Sequence, residues 1–139
     1  IEKRVLNHTP QNLFNLVSDV KKYPEFLPWC LGARVKKVIK NEFDADLIIG
    51  FKIYKEIYSS QILLDPNGYK ITVNYKDGPF EFLYNYWIFK ENSEGCEVEF
   101  MVEFKFKSFF LQTVMESLFT EAVKRMVSAF ENRADKLYN

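Results

Sequence analysis

The amino-acid sequence predicts an α+β domain in which a curved antiparallel sheet wraps around one long C-terminal helix. Between residues 33 and 106, apolar and polar residues alternate in several segments, as half-buried strands require. An amphipathic segment from about Phe109 to Leu137 follows, and it would form a helix roughly 43 Å long at 1.5 Å per residue. Because the sheet face and the helix stripe each need an apolar cover, packing one against the other satisfies both.

The N-terminal part is predicted to form a short strand over residues 2–7 and then a short helix. Thr9 is a suitable N-cap, and Pro10 fits the first helical position. The apolar side of this helix consists of Leu13, Phe14, Leu16 and Val17. A proline-rich run over residues 23–30 ends it, because each proline pushes the preceding residue towards extended geometry.

The later strands are predicted from apolar residues that recur at every second position. The first alternating stretch contains Phe43, Ala45, Leu47, Ile49, Phe51 and Ile53. Further strands are predicted over residues 57–64, 69–75, 82–89 and 96–106, with turns at Asp65-Pro66-Asn67-Gly68 and Lys76-Asp77-Gly78-Pro79. The C-terminal helix then presents one apolar stripe at helical spacing, made of Met115, Phe119, Ala122, Val123, Met126, Phe130, Ala134 and Leu137. A strongly bent sheet cannot touch a straight helix everywhere, so an apolar cavity between them is expected.

Composition narrows the possible functions. The 139 residues fit a single domain, residues 1–139, with a substantial core. Nineteen basic and nineteen acidic side chains give a formal net charge of zero. No apolar run approaches the ~20 residues of a membrane-spanning helix. Two cysteines form no disulfide framework, and with no secretory signal pattern they predict reduced thiols in a cytoplasmic protein. Fourteen phenylalanines suit either a dense core or the wall of an apolar cavity.

The sequence offers no recognisable catalytic or metal centre. The single histidine, His8, has no acid or nucleophile that sequence alone can place beside it, and a solvated side chain or one next to the helix cap explains it as well. Cys30 and Cys96 together with His8 lack zinc-site spacing. Cys30 lies in an apolar run that would raise its thiol pKa, and no glycine-rich phosphate loop is present. We therefore expect a protein that is not an enzyme and holds no catalytic cofactor.

The run Tyr23-Pro24-Glu25-Phe26-Leu27-Pro28-Trp29-Cys30 resembles the signature of the coenzyme Q-binding START-domain family, which includes the bacterial RatA proteins. Supporting matches are Asp77-Gly78-Pro79-Phe80, Trp87 with Phe89, and the ending Met126-Val127-Ser128-Ala129-Phe130 followed by Arg133-Ala134. The family is similar to polyketide cyclases and other START-like domains, so the resemblance implies a helix-grip fold. One departure is Phe51-Lys52-Ile53-Tyr54-Lys55-Glu56, where the family pattern has a smaller, glycine-containing stretch.

The resemblance implies binding of a polyprenyl quinone such as ubiquinone, in support of respiratory electron transport. The ligand-binding residues expected on this basis are Phe26, Leu27, Trp29, Phe51, Ile53, Tyr75, Phe80, Trp87, Phe104, Met115, Phe119, Val123, Met126 and Phe130. The Phe26–Trp29 loop could then act as a pocket gate, a membrane-dipping tip or a docking surface, or it could be a hydrophobic cap over the end of the sheet. The resemblance favours a gate or a docking surface. Arg133 could anchor a polar head, or its stem could pack while its guanidinium reaches water.

Basic residues flank the aromatic loop and suggest an alternative partner. Those predicted to form a docking surface are Lys21, Lys22, Arg34, Lys36 and Lys37. They could meet anionic lipid heads at the periphery of the inner membrane or ribosomal RNA, although lysines on strands often simply face water. The resemblance to RatA proteins implies the second partner, the large ribosomal subunit, with a block of subunit association. A third reading, a cyclase or dehydratase on the same scaffold, lacks a visible acid–base pair.

Overall fold

The computed structural model describes residues 1–51 and 54–138, with only the backbone for Phe51 and Tyr54, and shows a seven-stranded antiparallel sheet with a long C-terminal helix. The elements follow in the order β1 (Glu2–Leu6), α1 (Pro10–Ser18), a 3-10 helix (Val20–Glu25), β2 (Cys30–Ile39), β3 (Glu42–Phe51), β4 (Tyr54–Asp65), β5 (Lys70–Asp77), β6 (Phe80–Asn92), β7 (Gly95–Phe106) and α2 (Phe109–Tyr138). This architecture confirms the predicted helix-grip, START-like fold.

The strand order places the first and the last strand of the chain side by side. Across the sheet the strands run β1-β7-β6-β5-β4-β3-β2, so β1 pairs with β7 while β2 forms the opposite edge. The segment with α1 and the 3-10 helix therefore connects one edge of the sheet to the other. Together with α2 it covers one face of the sheet, called the inner face below.

Local chemistry explains how α1 begins. Thr9 is the N-cap, as predicted, and its Oγ1 accepts a hydrogen bond from the Asn12 backbone N–H at 3.1 Å. Pro10 occupies the start of the helix, where its missing N–H costs nothing. The predicted apolar side, Leu13, Phe14, Leu16 and Val17, is buried.

The proline-rich run forms the end of the short 3-10 helix and a turn, so it does not continue the regular helix α1. Pro24 lies inside the 3-10 helix, and the following backbone turns into β2 through a hydrogen bond from the Cys30 N–H to the Leu27 carbonyl. The buried Tyr23 hydroxyl donates to the Val17 carbonyl at 2.5 Å, which ties this helix to α1. Desolvation by burial raises the pKa of Tyr23, so its hydroxyl stays protonated and remains a donor.

Irregularities in the sheet account for its curvature. Register shifts occur in β2 between Cys30 and Gly32 and between Lys36 and Ile39, and others interrupt the β4–β5 and β6–β7 pairs. At the β6–β7 turn, Gly95 has φ of 132°, and a Cβ there would approach the Leu6 carbonyl oxygen to 2.3 Å. Only glycine fits this turn because β1 passes directly beside it.

The core is concentrated under the second half of α2. Val127, Phe130 and Ala134 of α2 are buried against the inner face of the sheet. In the first half of the helix, Met115 and Phe119 are only half-buried. The predicted apolar stripe is therefore only partly covered, and its last member, Leu137, is exposed.

Replacing Tyr23 with phenylalanine is expected to destabilise the fold, because the buried Val17 carbonyl would lose its side-chain donor. The expected loss is about 1–2 kcal/mol in the free energy of unfolding, measured by urea denaturation. Tyr84→Phe is a matched control, since Tyr84 is exposed on the opposite face of the sheet. Equal stability of Tyr23→Phe and the wild type would contradict this role for the hydroxyl.

Candidate ligand-binding cleft between the sheet and the long helix

A cleft separates the end of β7 from the first half of α2. Its volume is about 240 Å³. The lining residues are Val102, Glu103, Phe104, Gln112, Met115, Glu116 and Phe119. The cleft lies between the sheet and the helix, as the sequence predicted for a cavity, but its position along α2 was not predicted.

A second cavity of about 120 Å³ lies further along α2. Its lining residues are Ile1, Glu2, Phe100, Val102, Phe119, Thr120, Val123 and Lys124. Val102 of β7 and Phe119 of α2 border both cavities. A movement of the Phe119 ring would therefore join the two spaces into one longer groove.

Aromatic rings continue from the cleft into the sheet. Phe119 lies 5.4 Å from Phe104 between ring centroids, and Phe104 lies 5.5 Å from Phe80. Phe80 in turn contacts Tyr75 at 5.6 Å, and the Tyr75 hydroxyl accepts a hydrogen bond from the Phe80 N–H at 3.1 Å. The structure thus brings together five of the predicted ligand-binding residues, Tyr75, Phe80, Phe104, Met115 and Phe119, along one wall, and Val123 lines the adjoining cavity.

Six of the other predicted ligand-binding residues belong to a second, largely aromatic cluster under the 3-10 helix: Phe26, Leu27, Trp29, Trp87, Met126 and Phe130. Phe130 is its centre, with ring centroids 5.1 Å from Phe26 and 4.9 Å from Trp87. Leu27 is only 1% exposed, and the half-buried Trp29 packs against the same core. Met126 also packs there, partly buried. This packing is that of a hydrophobic cap over the core.

Arg133 of α2 contacts the Phe26–Trp29 loop and the residue that precedes it. Its Nη2 donates to Glu25 Oε1 at 2.7 Å, and its guanidinium lies 5.2 Å from the centroid of the Phe26 ring. Because of the hydrogen bond from Arg133, the pKa of Glu25 is lowered from its ordinary value. The side chain of Arg133 therefore closes the cap in this structure.

Two predicted ligand-binding residues cannot be placed in the same way. Ile53 lies outside the described residues, and only the backbone of Phe51 is described, at the end of β3.

Buried polar atoms lie on the inner face near the aromatic wall. Ser60 is 2% exposed, and its Oγ has no hydrogen-bond partner among the described residues. It faces Tyr75 directly across the β4–β5 pair. The Trp29 Nε1 is also buried without a partner in the described part of the chain. Each can donate a hydrogen bond to an acceptor that enters the interior.

The two thiols are buried and unreactive in character. Desolvation raises the pKa of Cys30, and it raises that of Cys96 to about 11. Both side chains therefore remain neutral thiols at physiological pH, and neither is an activated nucleophile.

Two aspartates that were not among the predicted site residues pair with cations of the predicted basic surface. Asp44 and Asp46 of β3 are buried on the outer face of the sheet. Asp46 accepts from Arg34 at 2.9 Å and lies 3.0 Å from the Lys36 ammonium. Asp44 contacts Lys76 at 3.0 Å and Lys37 at 3.8 Å. Lys21 and Lys22 are exposed elsewhere, on the 3-10 helix, where Lys22 pairs with Glu25 at 3.5 Å.

Four cations thus surround two carboxylates, and the cluster keeps a surplus of positive charge. Hydrogen bonding from Ser59 and then from Arg34 and Lys36 lowers the pKa of Asp46 against the opposing effect of burial. The alternation of β3 indicated that these aspartates face away from the core. It could not indicate which cations of β2 and β5 would meet them, because that depends on the strand register.

A contact between His8 and Asp135 joins the two ends of the chain, and sequence reasoning did not find it. The buried His8 lies 2.7 Å from Asp135, measured from Nε2 to Oδ1. Its ring also meets Tyr138 edge-on, with centroids 6.2 Å apart. The 127 positions between His8 and Asp135 leave no local signal for this contact. The pair fixes the last turns of α2 beside the β1–α1 connection.

The described residues contain no group of three or more histidine, cysteine or acidic side chains arranged to hold a metal ion. Among the helices described, none combines the length and apolarity needed to cross a bilayer.

Comparisons with known proteins agree with this geometry. Residues 6–131 match the family described as polyketide cyclase/dehydrase and lipid transport. The chain belongs to this family. It is 39% identical over 137 residues to the ribosome association toxin RatA of Rickettsia prowazekii, covering 96% of this chain and 94% of that protein. It is 33% identical over 141 residues to the mitochondrial coenzyme Q-binding protein COQ10 homolog B of Xenopus laevis, covering 99% of this chain but 58% of that protein.

Solved structures of the family include an 18 kDa protein of Caulobacter crescentus. It shares 34% identity with a TM-score of 0.81, and the match covers 99% of this chain and 95% of that one. The resemblance stated from the sequence is therefore confirmed at the level of the family. Both named relatives are named for association or binding rather than for a reaction, while the family description also includes cyclases and dehydrases.

Replacing Asp46 with asparagine is expected to reduce the free energy of unfolding by about 1–2 kcal/mol at pH 7, because the ionised carboxylate is hydrogen-bonded and ion-paired. A carboxyl whose pKa is lower in the folded state than in the unfolded chain stabilises the fold at neutral pH. This contribution is lost as the pH falls below about 4. The difference between wild type and variant should therefore shrink on acidification, as measured by urea denaturation across pH. Glu103→Gln, at an exposed carboxylate, is the control; a pH-independent gap for Asp46→Asn would contradict the assignment.

Proposed function

We propose that this protein binds a polyprenyl quinone of the ubiquinone type, without catalysing a reaction, in the groove between β7 and the first half of α2. The observation that supports this proposal is the incompletely covered apolar cleft at Phe104, Met115 and Phe119. Helix and sheet pack tightly at one end of α2 and separate at the other. An apolar ligand would fill the space that the protein's own side chains leave open.

An isoprenoid chain suits this groove. Removing its apolar surface from water would stabilise the complex by roughly 25 cal/mol per Å². Met115 adapts to an irregular chain because its thioether side chain is flexible. The chain would extend into the second cavity once the Phe119 ring turns aside, since that ring borders both spaces.

The quinone head has carbonyl oxygens that need hydrogen-bond donors in a buried site. Ser60 offers a buried hydroxyl without a partner in the described residues, opposite Tyr75 on the inner face. The aromatic wall from Phe119 to Tyr75 leads from the cleft to this position. We therefore place the head towards Ser60 and the tail in the groove.

Replacing Phe119 with aspartate should weaken quinone binding at least about tenfold, because a carboxylate would have to be desolvated beside the apolar ligand. Binding can be measured by organic extraction of the purified protein and by titration with a short-chain ubiquinone followed through tryptophan fluorescence. Leu118→Asp introduces the same charge one position earlier, where the side chain is 42% exposed, and should bind normally. If native extracts contain no quinone and both variants behave like the wild type, the proposal fails.

Ribosome association is the second candidate function, supported by the relative named RatA and by the cationic cluster on β2, β3 and β5. Arg34, Lys36 and Lys37 are exposed yet held in place by Asp44 and Asp46. A surface of this kind would contact the phosphates of ribosomal RNA, and its binding would weaken steeply with added salt. The first candidate uses the inner face of the sheet and the second uses the outer face.

The double change Lys36→Glu and Lys37→Glu should abolish co-sedimentation with large ribosomal subunits at low salt while leaving quinone extraction unchanged. Melting temperatures must accompany this measurement, since both lysines also pair with aspartates of β3. Lys90→Glu with Lys136→Glu, exposed lysines of β6 and α2, is the matched control. This second candidate is wrong if the variant with both Lys36→Glu and Lys37→Glu co-sediments like the wild type. It is also wrong if the wild type does not co-sediment with the subunits.

A further inference from the structure

We propose that Gln112 is a positioning residue that holds the first half of α2 at its distance from β7. In this way it sets the rate at which an apolar ligand enters and leaves the cleft between them. The inference rests on the proposed binding of such a ligand in the cleft. It assigns the control of ligand exchange to one side chain of the cleft wall.

The side chain of Gln112 joins the end of β7 to α2. Its Oε1 accepts a hydrogen bond from the Phe106 backbone N–H at 2.9 Å, and its Nε2 donates to Glu116 Oε1 at 3.3 Å. Its own backbone N–H donates to the Ser108 carbonyl at 3.0 Å. Gln112 also lines the cleft of about 240 Å³, so the same residue forms part of the wall and connects its two sides.

The direction of the Phe106 N–H explains why a side chain is needed there. The N–H of the next residue, Lys107, donates to the Pro79 carbonyl at 2.8 Å, just before β6 begins. Successive residues of a strand direct their N–H groups to opposite sides, so the Phe106 N–H points away from β6 and towards α2. On that side β1 pairs with residues 96–100 of β7, well before Phe106. Gln112 therefore supplies the acceptor that a neighbouring strand supplies elsewhere in the sheet.

The long helix is thus attached to the sheet near both of its ends. Among its described residues, the buried ones are Leu111 near the beginning and three in the second half, of which Val127 comes first. The stretch from Leu111 to Val127 is roughly 24 Å long at 1.5 Å per residue. It contains Met115 and Phe119, which are half-buried and border the cleft. The distance between this stretch and β7 therefore depends on the attachment at the beginning of the helix.

Loss of the Gln112 contact would weaken that attachment without removing it. Leu111 stays buried, and the Ser108 Oγ still accepts from the Leu111 N–H at 3.2 Å. A hydrogen bond of this kind makes a modest net contribution, equivalent to roughly a three- to tenfold change in an equilibrium between closed and open forms. Segments with few buried apolar contacts open more easily than the core does, so the effect should be confined to the first half of α2.

The test measures how fast a bound quinone leaves the protein. The purified full chain is loaded with a short-chain ubiquinone and mixed with an excess of phosphatidylcholine vesicles, and transfer is followed through the recovery of tryptophan fluorescence. Gln112→Met keeps the length and helix propensity of the side chain but removes the acceptor, so it should speed transfer about three- to tenfold. Gln11→Met is the matched control, since Gln11 is an exposed residue of α1 that donates to Asn15 at 2.8 Å, and it should transfer quinone like the wild type.

Gln112→Glu provides a rescue that separates this contact from the bulk of the side chain. Its carboxylate keeps an oxygen that can accept from the Phe106 N–H, so transfer should return towards the wild-type rate. The new charge lies one turn from Glu116, and like charges at this spacing repel each other on a helix surface. The measurement is therefore also made in about 0.5 M salt, where exposed charges are screened.

Amide hydrogen exchange shows whether the effect is local. In Gln112→Met, protection should fall at Phe106 and in the first half of α2, while Val127 and its neighbours keep the protection of the wild type. Three results would overturn the proposal. These are transfer by Gln112→Met at the wild-type rate, faster transfer that Gln112→Glu does not restore at high salt, or an equal loss of protection in both halves of α2.

A second probe separates this inference from the proposed function. N-phenylnaphthylamine is an apolar dye that fluoresces when it leaves water, and its release can be timed in the same variants. If the protein holds the dye but no quinone, and Gln112→Met releases the dye faster, the inference stands and the proposed quinone function is wrong. If quinone is bound but leaves Gln112→Met and the wild type at equal rates, the inference alone is wrong. If neither probe binds, both are wrong.

Discussion

The structure depends on an unequal attachment of α2, whose second half is fixed to the sheet while its first half is only partly covered. Phe130 anchors the helix among Tyr23, Phe26 and Trp87, and Ala134 allows the backbone to approach closely. Polar contacts support the same half. Arg4 of β1 donates to Ser128 and Glu131, and His8 pairs with Asp135. Buried apolar contacts and satisfied polar groups act together here, which makes this end of the helix rigid.

At its other end, α2 keeps one buried apolar residue, Leu111, against three in its second half. Met115 and Phe119 belong to that end, and they border the cleft. Regions with few buried apolar contacts open at lower free-energy cost than the core does. The proposed binding groove therefore lies at the less covered half of α2, while the proline-rich loop contributes stability at the other half.

Much of the fold follows from the sequence, because local rules determine most of it. Thr9 and Pro10 specify the start of α1, and the period of two specifies β7 with its buried Cys96, Val98 and Phe100. The position of the cleft was less accessible. Phe119 and Phe130 belong to one helical stripe and look equivalent in sequence, yet one borders a cavity and the other fills the core. The difference arises from the curvature of the sheet, which depends on bulges and long-range register.

The pairing of β1 with β7 also determines when this protein can fold. Glu2 lies opposite Phe100, and Leu6 lies opposite Cys96, so the first strand finds its partner almost a hundred residues later. On a translating ribosome, residues 2–6 must wait unpaired while five other strands of the meander emerge. Contacts so distant in sequence are slow to form because the intervening chain must first be ordered. The helix that grips the sheet follows all seven strands in the chain, so much of the apolar inner face stays uncovered until α2 has been synthesised.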